Sequence, residues 1–304
     1  MAKILNFGSL NVDFVYQVPH FVQPGETLSS FGRSIFAGGK GLNQSLAAAR
    51  AGAQVFHAGA VGTDGQLLLD MLQGDGVDCS FIQHSEGPSG HTIIQVDPSG
   101  QNCIILFQGS NFEQQREWID AVLQNFSAGD FLLLQNEINL VGYLINKGAE
   151  RGLKVCINAS PINENLAGCN LEKCSLIAVN ELEAAALTEQ NPEEEQPADR
   201  QLKLLRERFP ESSIVLTLGT QGSYLQKPDG EVIFTPAFKV KAVDTTAAGD
   251  TFLGFLTAAL AEGVEDEQAL RRAAAAAAIA VTRPGAGPSI PKLAEVLDFL
   301  KTEA

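Results

Sequence analysis

The sequence predicts an α/β protein with a Rossmann-like, doubly wound and mainly parallel sheet, to which a separate small β-sheet is added. Short apolar runs, typical of buried strands, alternate with helix-length segments along most of the 304 residues. Two β-rich stretches fall outside this alternation. Hydrophobic residues make up 45% of the chain and charged residues 19%, which is typical of a folded globular protein.

The large sheet is predicted from apolar runs that helical segments separate. Such βαβ units imply a mainly parallel sheet covered on both faces, with ligands beyond the carboxyl ends of its strands. The predicted strands are residues 4–7, 55–60, 131–135, 155–158, 176–179 and 214–218. The predicted helices are residues 41–51, 65–73, 141–151, 181–188, 198–209, 251–262 and 268–281.

Four other segments carry alternating or aromatic residues and predict the small sheet. The sequence Asp-Pro-Ser-Gly at residues 97–100 joins the last two as a hairpin. We expect one domain over residues 1–304, with a discontinuous small sheet formed by about residues 13–36 and 91–108. The four predicted strands of this small sheet are residues 14–18, 28–36, 92–96 and 103–107.

Charge and composition exclude several classes of function. The 21 Lys and Arg against 36 Asp and Glu give a net charge of −15, which disfavours nucleic acid and membrane partners. The acidic run at residues 191–195 is expected to be a solvated loop. No signal segment or membrane span is apparent, so we expect a cytoplasmic protein. The five cysteines lack zinc-site spacing and are expected to be reduced thiols.

The most informative segment is Asp-Thr-Thr-Ala-Ala-Gly-Asp-Thr-Phe at residues 244–252. Small residues before a predicted helix leave backbone N–H groups free, with the positive end of the helix dipole behind them. Such a site suits a phosphoryl group that gathers charge in its transition state. Asp250 faces this place, so we interpret it as a general base that takes a proton from an attacking hydroxyl. The alternative is that Asp250 only caps the helix.

A second glycine-rich segment, Ala-Gly-Gly-Lys-Gly-Leu-Asn-Gln-Ser, occupies residues 37–45. Its glycines let the backbone approach a ligand, and Asn43 offers both a donor and an acceptor to a hydroxyl pair. It is not a P-loop, because Lys40 is followed by Gly41 and the G-x-x-x-x-G-K spacing is missing. Taken alone, this segment could equally be a structural turn.

These segments resemble the two signatures of the ribokinase (PfkB-type carbohydrate kinase) family. Residues 244–250 match its D-T-x-[GA]-A-G-D pattern, and residues 37–45 resemble its G-G-K-G-x-N-x-A pattern. The order and spacing also agree with that family, and the resemblance covers nearly the whole chain. It implies the ribokinase-like fold, in which the small β-sheet of about residues 13–36 and 91–108 is a lid, and an ATP-dependent phosphotransferase that uses an alcohol group as acceptor.

The resemblance implies a sugar site and an anion hole beside the base. In the family pattern, Asp250 is the catalytic base, and the amides of Ala247, Ala248 and Gly249 stabilise developing charge. The implied sugar-binding residues, with Asp250, are Asn11, Asp13, Gly38, Gly39, Lys40, Asn43 and Glu137. Asn11 and Asp13 lie two apart in an extended segment, so their side chains point the same way.

The resemblance also implies sites for ATP and for two cations. Glu183, in an N-x-x-E motif, would organise Mg²⁺ largely through water. A K⁺ ion is implied as activator. The implied ATP-binding residues are Asn180, Thr217, Gly219, Thr220, Gly222, Ala248 and Gly249; a plain β-turn also explains the glycines. The implied K⁺ ligands are Asp244, Thr246, Ala280, Arg283, Gly285 and Ser289.

Departures from the family pattern bear on the substrate. The family's T-G-V-A reads Ser-Gly-His-Thr at residues 89–92, and Phe107 stands where histidine is frequent. His91 is a candidate sugar contact on the lid.

A pentose phosphorylated on a primary hydroxyl, O5, is the leading substrate, with ribose first. A nucleoside or other sugar kinase of the same fold is one alternative, and a sugar-binding protein without catalysis is another. The resemblance further implies a homodimer through the lid.

Overall fold

The computed structural model describes residues 2–191 and 196–303. The acidic run at residues 191–195 therefore lies almost entirely outside the described residues. The strands are β1 (Ile4–Phe7), β2 (Asn11–Gln17), β3 (Gly32–Gly38), β4 (Val55–Val61), β5 (Asp78–His84), β6 (Gly90–Val96), β7 (Asn102–Phe107), β8 (Phe131–Gln135), β9 (Lys154–Asn158), β10 (Leu176–Asn180), β11 (Ser213–Thr217), β12 (Ser223–Gln226) and β13 (Val232–Thr235). The helices are α1 (Lys40–Arg50), α2 (Gln66–Gly74), α3 (Arg116–Leu123), α4 (Val141–Glu150), α5 (Glu181–Leu187), α6 (Ala198–Arg208), α7 (Ala248–Glu262), α8 (Asp266–Ala280) and α9 (Leu293–Thr302).

The large sheet has the order β13-β12-β11-β10-β9-β8-β1-β4-β5. The seven neighbouring strands β11, β10, β9, β8, β1, β4 and β5 are all parallel. Strands β12 and β13 add an antiparallel edge. One apolar cluster packs α1, α2, α7 and α8 on one face, and a second packs α3 to α6 on the other. The predicted α/β class with a mainly parallel, doubly covered sheet is confirmed.

The chain order of the strands reverses between β1 and β8. From β1 the chain proceeds to β4 and β5 on one side, and from β8 it proceeds to β9, β10 and β11 on the other. Loops that follow β1 and β8 therefore diverge and leave a crevice at the carboxyl ends of these strands, which is where such sheets bind ligands.

The small sheet has the order β3-β2-β6-β7. The predicted hairpin is present, because β6 and β7 pair antiparallel on either side of residues 97–100. Strands β2 and β6 pair in parallel, so the small sheet is mixed. The strand predicted from residue 28 begins only at Gly32, because the pairing of β3 with β2 ends at the pair of Gly32 and Gln17.

Five elements have no counterpart in the sequence-based prediction: β5, α3, β12, β13 and α9. Strands β12 and β13 have four residues each, and β5 is a partly exposed edge strand with mixed polarity. Their hydrophobic pattern is too short or too irregular to stand out from a loop. Within the described ranges, none of the helices is both long enough and apolar enough to cross a membrane.

Candidate active site

Asp250 lies in the first turn of α7, and its side chain is only 7% exposed. Its carboxylate does not cap α7. Instead, Oδ2 accepts a hydrogen bond from Asn43 Nδ2 at 3.1 Å, and Oδ1 accepts one from Gln44 Nε2 at 2.9 Å. Both donors come from α1, so the two glycine-rich segments meet at this carboxylate. The capping alternative for Asp250 is wrong.

The backbone before α7 presents free donors beside Asp250. Ala247 adopts a left-handed conformation (φ 59°, ψ 12°), which is strained for a residue with a Cβ. The Ala248 N–H makes a long bond of 3.3 Å to Thr245 O. Among the described residues, no acceptor bonds the N–H of Ala247 or Gly249. A Cβ on Gly249 would meet nothing within 4 Å, so open space lies in front of these amides.

A cavity of about 260 Å³ occupies this space. It extends from α7 to the carboxyl ends of β9, β10 and β11 and thus brings the predicted base, anion hole and part of the nucleotide set together. The sequence-predicted residues that line it are Lys40, Asn180, Glu183, Thr217, Ala247, Ala248, Gly249 and Asp250.

The predicted sugar-binding residues of β2 are held in place, Asn11 buried and Asp13 half-buried. Thr92 donates its hydroxyl to Asp13 Oδ1 at 2.6 Å. Asn111, in the turn after β7, donates Nδ2 to Asn11 Oδ1 at 2.7 Å. This bond leaves the Nδ2 of Asn11 as the group that can donate to a ligand. A Cβ on Gly38 would lie 1.9 Å from Asp13 Oδ2, so any side chain there would displace the Asp13 carboxylate.

Glu137 follows β8 and reaches the glycine-rich segment. Its Oε2 accepts from Ser9 Oγ at 2.5 Å and from the Lys40 N–H at 3.1 Å. Gly39, with φ +99°, lets the chain turn against Ser9 before α1 begins. The loop after β1, the loop after β8 and the start of α1 are thereby joined.

Burial and charge shift the pKa values of these groups. Burial opposes the charged form of Lys40, but the carboxylates of Asp250, Glu137 and Glu183 outweigh it and raise its pKa. Lys40 therefore stays cationic. Burial raises the pKa of Glu137, partly offset by Lys40 and Ser9. Burial also raises the pKa of Asp13 to about 6, although its bond from Thr92 acts in the opposite direction.

The N-x-x-E motif forms a capping box at the start of α5. Asn180 Oδ1 accepts from the Glu183 N–H, and Glu183 Oε2 accepts from the Asn180 N–H, both at 2.9 Å. Both residues nevertheless line the cavity. Gly219, Thr220 and Gly222 do not line it. A Cβ on Gly222 would lie 2.3 Å from Thr235 O, so the turn itself requires this glycine.

The predicted K⁺ ligands lie on two loops that one side chain joins. Asp244 Oδ1 accepts from the Thr246 N–H at 2.9 Å, and its Oδ2 accepts from the Gly285 N–H at 2.8 Å. Ala280 O accepts from the Arg283 N–H at 3.0 Å, at the end of α8. Ser289 is buried and donates its hydroxyl to the carbonyl of Ala286.

The candidate sugar contact of His91 is not supported. Thr92 and Asp13 share one face of the small sheet, since their side chains bond. His91 precedes Thr92 in the strand and therefore points to the other face. Its ring packs there against Phe14 and Phe107, with centroid distances of 5.9 and 4.9 Å.

Several site residues were missed by the sequence reasoning. Gln44 follows Asn43 directly, and a polar residue on a predicted buried helix was a usable signal. The buried residues Gln135 and Asn111 carried no such signal, because only the fold brings them to Gln44 and Asn11.

Comparison with known proteins gives one consistent family. The model of the pfkB family carbohydrate kinases matches residues 1–293. A ribokinase of Haemophilus influenzae is 36% identical over 99% of each chain, and one of Schizosaccharomyces pombe is 36% identical over 97% of each. The structure of Arabidopsis thaliana ribokinase complexed with ribose and ATP superposes with a TM-score of 0.87 at 28% identity, covering 99% of both chains. The chain therefore belongs to the pfkB family of carbohydrate kinases, enzymes that transfer phosphate from ATP to a sugar hydroxyl.

Proposed function

We propose that the protein transfers the γ-phosphoryl group of ATP to the O5 primary hydroxyl of ribose. One observation carries this proposal. The Asp250 carboxylate is held by α1 between open backbone amides on one side and the polar side chains of β2 and Glu137, which suit a polyol, on the other. The relatives named ribokinase, one of them solved with ribose and ATP, favour ribose among the sugars.

In the proposed reaction, the protein mainly positions its two substrates. Asn11, Asp13, Gly38, Gly39, Lys40, Asn43 and Glu137 hold the sugar. Asp250 accepts the proton of the O5 hydroxyl while O5 forms a bond to the γ-phosphorus and the bond from phosphorus to the ADP oxygen breaks. The free N–H groups of Ala247 and Gly249 stabilise charge on the transferring group.

We infer that ATP occupies the cavity beside Asp250, with Asn180, Thr217 and the turn of Gly219, Thr220 and Gly222 on the nucleotide side. The described parts of the chain contain no cluster of three or more His, Cys, Asp or Glu that could hold a metal. Mg²⁺ fits this site, because it keeps several waters and binds substrate phosphates. Glu183 uses Oε2 in its capping box and has Oε1 left for such a water. When bound, Mg²⁺ neutralises phosphate charge.

We also propose the K⁺ site of Asp244, Thr246, Ala280, Arg283, Gly285 and Ser289. The bond from Gly285 to Asp244 supports it, because it brings the two loops together directly before the anion hole. A cation there would order the loop that ends in the strained Ala247 rather than touch the phosphate.

The five free cysteines suit a reducing compartment, so we infer that the enzyme works in the cytoplasm.

We propose that the small sheet is a lid over the sugar and the interface of a homodimer. Its apolar side chains are exposed on both faces, which is unusual for a surface without a partner. These exposed residues are Phe31, Ile35, Phe36, Ile93, Ile104, Ile105, Leu106 and Phe107. A closed lid would exclude water and limit futile ATP hydrolysis.

A coupled assay of ATP consumption over pentoses, hexoses, deoxy sugars and nucleosides tests the reaction. We expect ribose to give the highest kcat/KM, whereas a nucleoside optimum would favour the nucleoside-kinase alternative.

In Asp250→Asn, sugar binding should persist while kcat falls about 10²- to 10⁴-fold, because the base is lost. Near-wild-type turnover of this variant would contradict the role of Asp250. Sugar binding without any ATP turnover in the wild type would indicate a binding protein instead.

A further inference from the structure

A chain of buried polar side chains runs from Asp250 into the core below the site. Gln44 donates Nε2 to Asp250 Oδ1 at 2.9 Å, and its Oε1 accepts from Gln135 Nε2 at 2.7 Å. Both glutamines have no exposed surface, and neither lines the cavity beside Asp250. Gln44 therefore contacts the carboxylate from the side away from the cavity, and Gln135 contacts Gln44 in turn.

These bonds determine which way the Gln44 amide faces. An amide has one donor end and one acceptor end, and only the donor end can face a carboxylate favourably. Gln135 occupies the acceptor end and is itself oriented by its second bond, from Nε2 to Asn6 Oδ1 at 3.0 Å. If the Gln44 amide turned over, its oxygen would face Asp250 and its NH₂ group would face that of Gln135. Both contacts would be unfavourable, since buried polar groups would lose their partners.

The chain continues to a neutral histidine at the base of the site. Asn6 Nδ2 donates to Ser45 Oγ at 2.8 Å, and Ser45 Oγ lies 2.8 Å from His57 Nδ1. Full burial lowers the pKa of His57 to about 4, so the ring is neutral at pH 7. Its Nε2 lies 3.3 Å from the carbonyl oxygen of Gly8, which can only accept. Nε2 therefore carries the hydrogen, Nδ1 accepts from Ser45, and all the bonds of the chain are mutually consistent.

We propose that Gln44 is a positioning residue that holds the Asp250 carboxylate in the orientation that accepts the substrate proton, and that Gln135 acts through Gln44 by setting its amide. The proposal rests on the proposed function, in which Asp250 is the base. Gln44 contacts the carboxylate, Gln135 contacts Gln44, and neither lines the open space beside Asp250, so their loss affects turnover more than sugar affinity.

A double-mutant cycle on kcat tests this proposal. Gln44→Met keeps the length of the side chain and removes the donor, so kcat should fall about 10- to 100-fold, as for other bonds to a charged group. Gln135→Leu leaves the Gln44 amide free to turn, and kcat should fall about 3- to 10-fold. Because Gln135 acts through Gln44, the double variant should have the kcat of Gln44→Met alone. The KM for the sugar should change less than about threefold in all three variants.

The matched control is Gln226→Met, which alters a buried glutamine on β12 far from Asp250 and should keep wild-type kcat. Multiplicative loss in the double variant, or a rise in KM at unchanged kcat, would overturn the proposal. If Gln44→Met does not fold, Gln135→Leu alone serves instead: kcat should fall because the Gln44 amide loses the bond that orients it, and unchanged kcat would overturn the proposal. Absence of sugar-dependent turnover in the wild type would refute the proposed function itself.

Discussion

Two acidic residues near helix N-termini have different roles in this protein. Asp250 could have been a cap, but its carboxylate bonds side chains of α1 and faces the cavity. Glu183 was expected at the Mg²⁺ site, yet one of its oxygens completes the capping box of α5. In both cases, small or polar residues precede the helix that carries the acidic residue. Local sequence therefore cannot distinguish a carboxylate that caps its helix from one that other elements hold, since the difference depends on which distant donors reach it.

Asp13 provides a prediction about pH and stability. Its pKa is raised from 3.8 to about 6, so its contribution to native stability is full below pH 4 and is lost as the pH rises through 6. Asp13→Asn removes the buried charge and keeps an oxygen for the Thr92 hydroxyl. We expect the free energy of unfolding to rise by about 1 to 3 kcal/mol at pH 8 and by little at pH 4, while sugar binding weakens. Urea unfolding of the unliganded protein at both pH values measures this.

Asp97→Asn is the control of opposite sign. Hydrogen bonds from Ser99 and neighbouring backbone amides in the hairpin turn lower the pKa of Asp97, so its contribution to stability is present at pH 8. We expect this variant to be slightly less stable than the wild type at pH 8. If Asp13→Asn behaves in the same way, buried charge at Asp13 does not destabilise the protein.

At the scale of elements, close packing of α1 against α7 forms the site. A Cβ on Gly254 of α7 would lie 2.5 Å from Ala47 Cβ and 2.8 Å from Gln44 O. This glycine lets the two helices approach until the Asn43 and Gln44 side chains reach Asp250. The helices themselves were predictable, because both carry long apolar patterns. Their contact was not, because helical periodicity identifies a buried face without its partner.

The loops before α7 and after α8 provide a prediction about K⁺. Activity should rise several-fold when KCl replaces LiCl or NaCl at constant ionic strength, because the proposed cation would order the loop that presents the amides of Ala247 and Gly249. Steady-state rates with ribose measure this effect. Asp244→Ala removes the side chain that joins the two loops and should abolish the difference between the salts. Equal wild-type rates in all three salts would contradict the cation site.

At the scale of the whole molecule, the small sheet provides a prediction about assembly. Ile105 pairs with Ile93, and Ile93 pairs with Phe14, so Ile105 lies on the face away from Asp13. It is 59% exposed. Ile105→Glu should weaken dimerisation at least about tenfold, because a charge would be buried in the interface, as measured by sedimentation equilibrium. Val232→Glu, on the exposed edge strand β13, should dimerise like the wild type. A monomeric wild type at micromolar concentration would contradict the dimer.

The sequence by itself determined the α/β class, the separate small sheet and the two glycine-rich segments. These features depend on local patterns: apolar runs, hairpin turns, and small residues before helices. Only the tertiary structure decided that Asp250 bonds α1 instead of capping α7, that Asn180 and Glu183 form a capping box, and that His91 points away from Asp13. It alone revealed Gln44, Gln135 and Asn111 as supports of the site. The physical reason is that a hydrogen bond requires atoms about 3 Å apart, and residues more than 90 positions apart in the chain, such as Gln44 and Gln135, come that close only through the packing of the sheet and its helices.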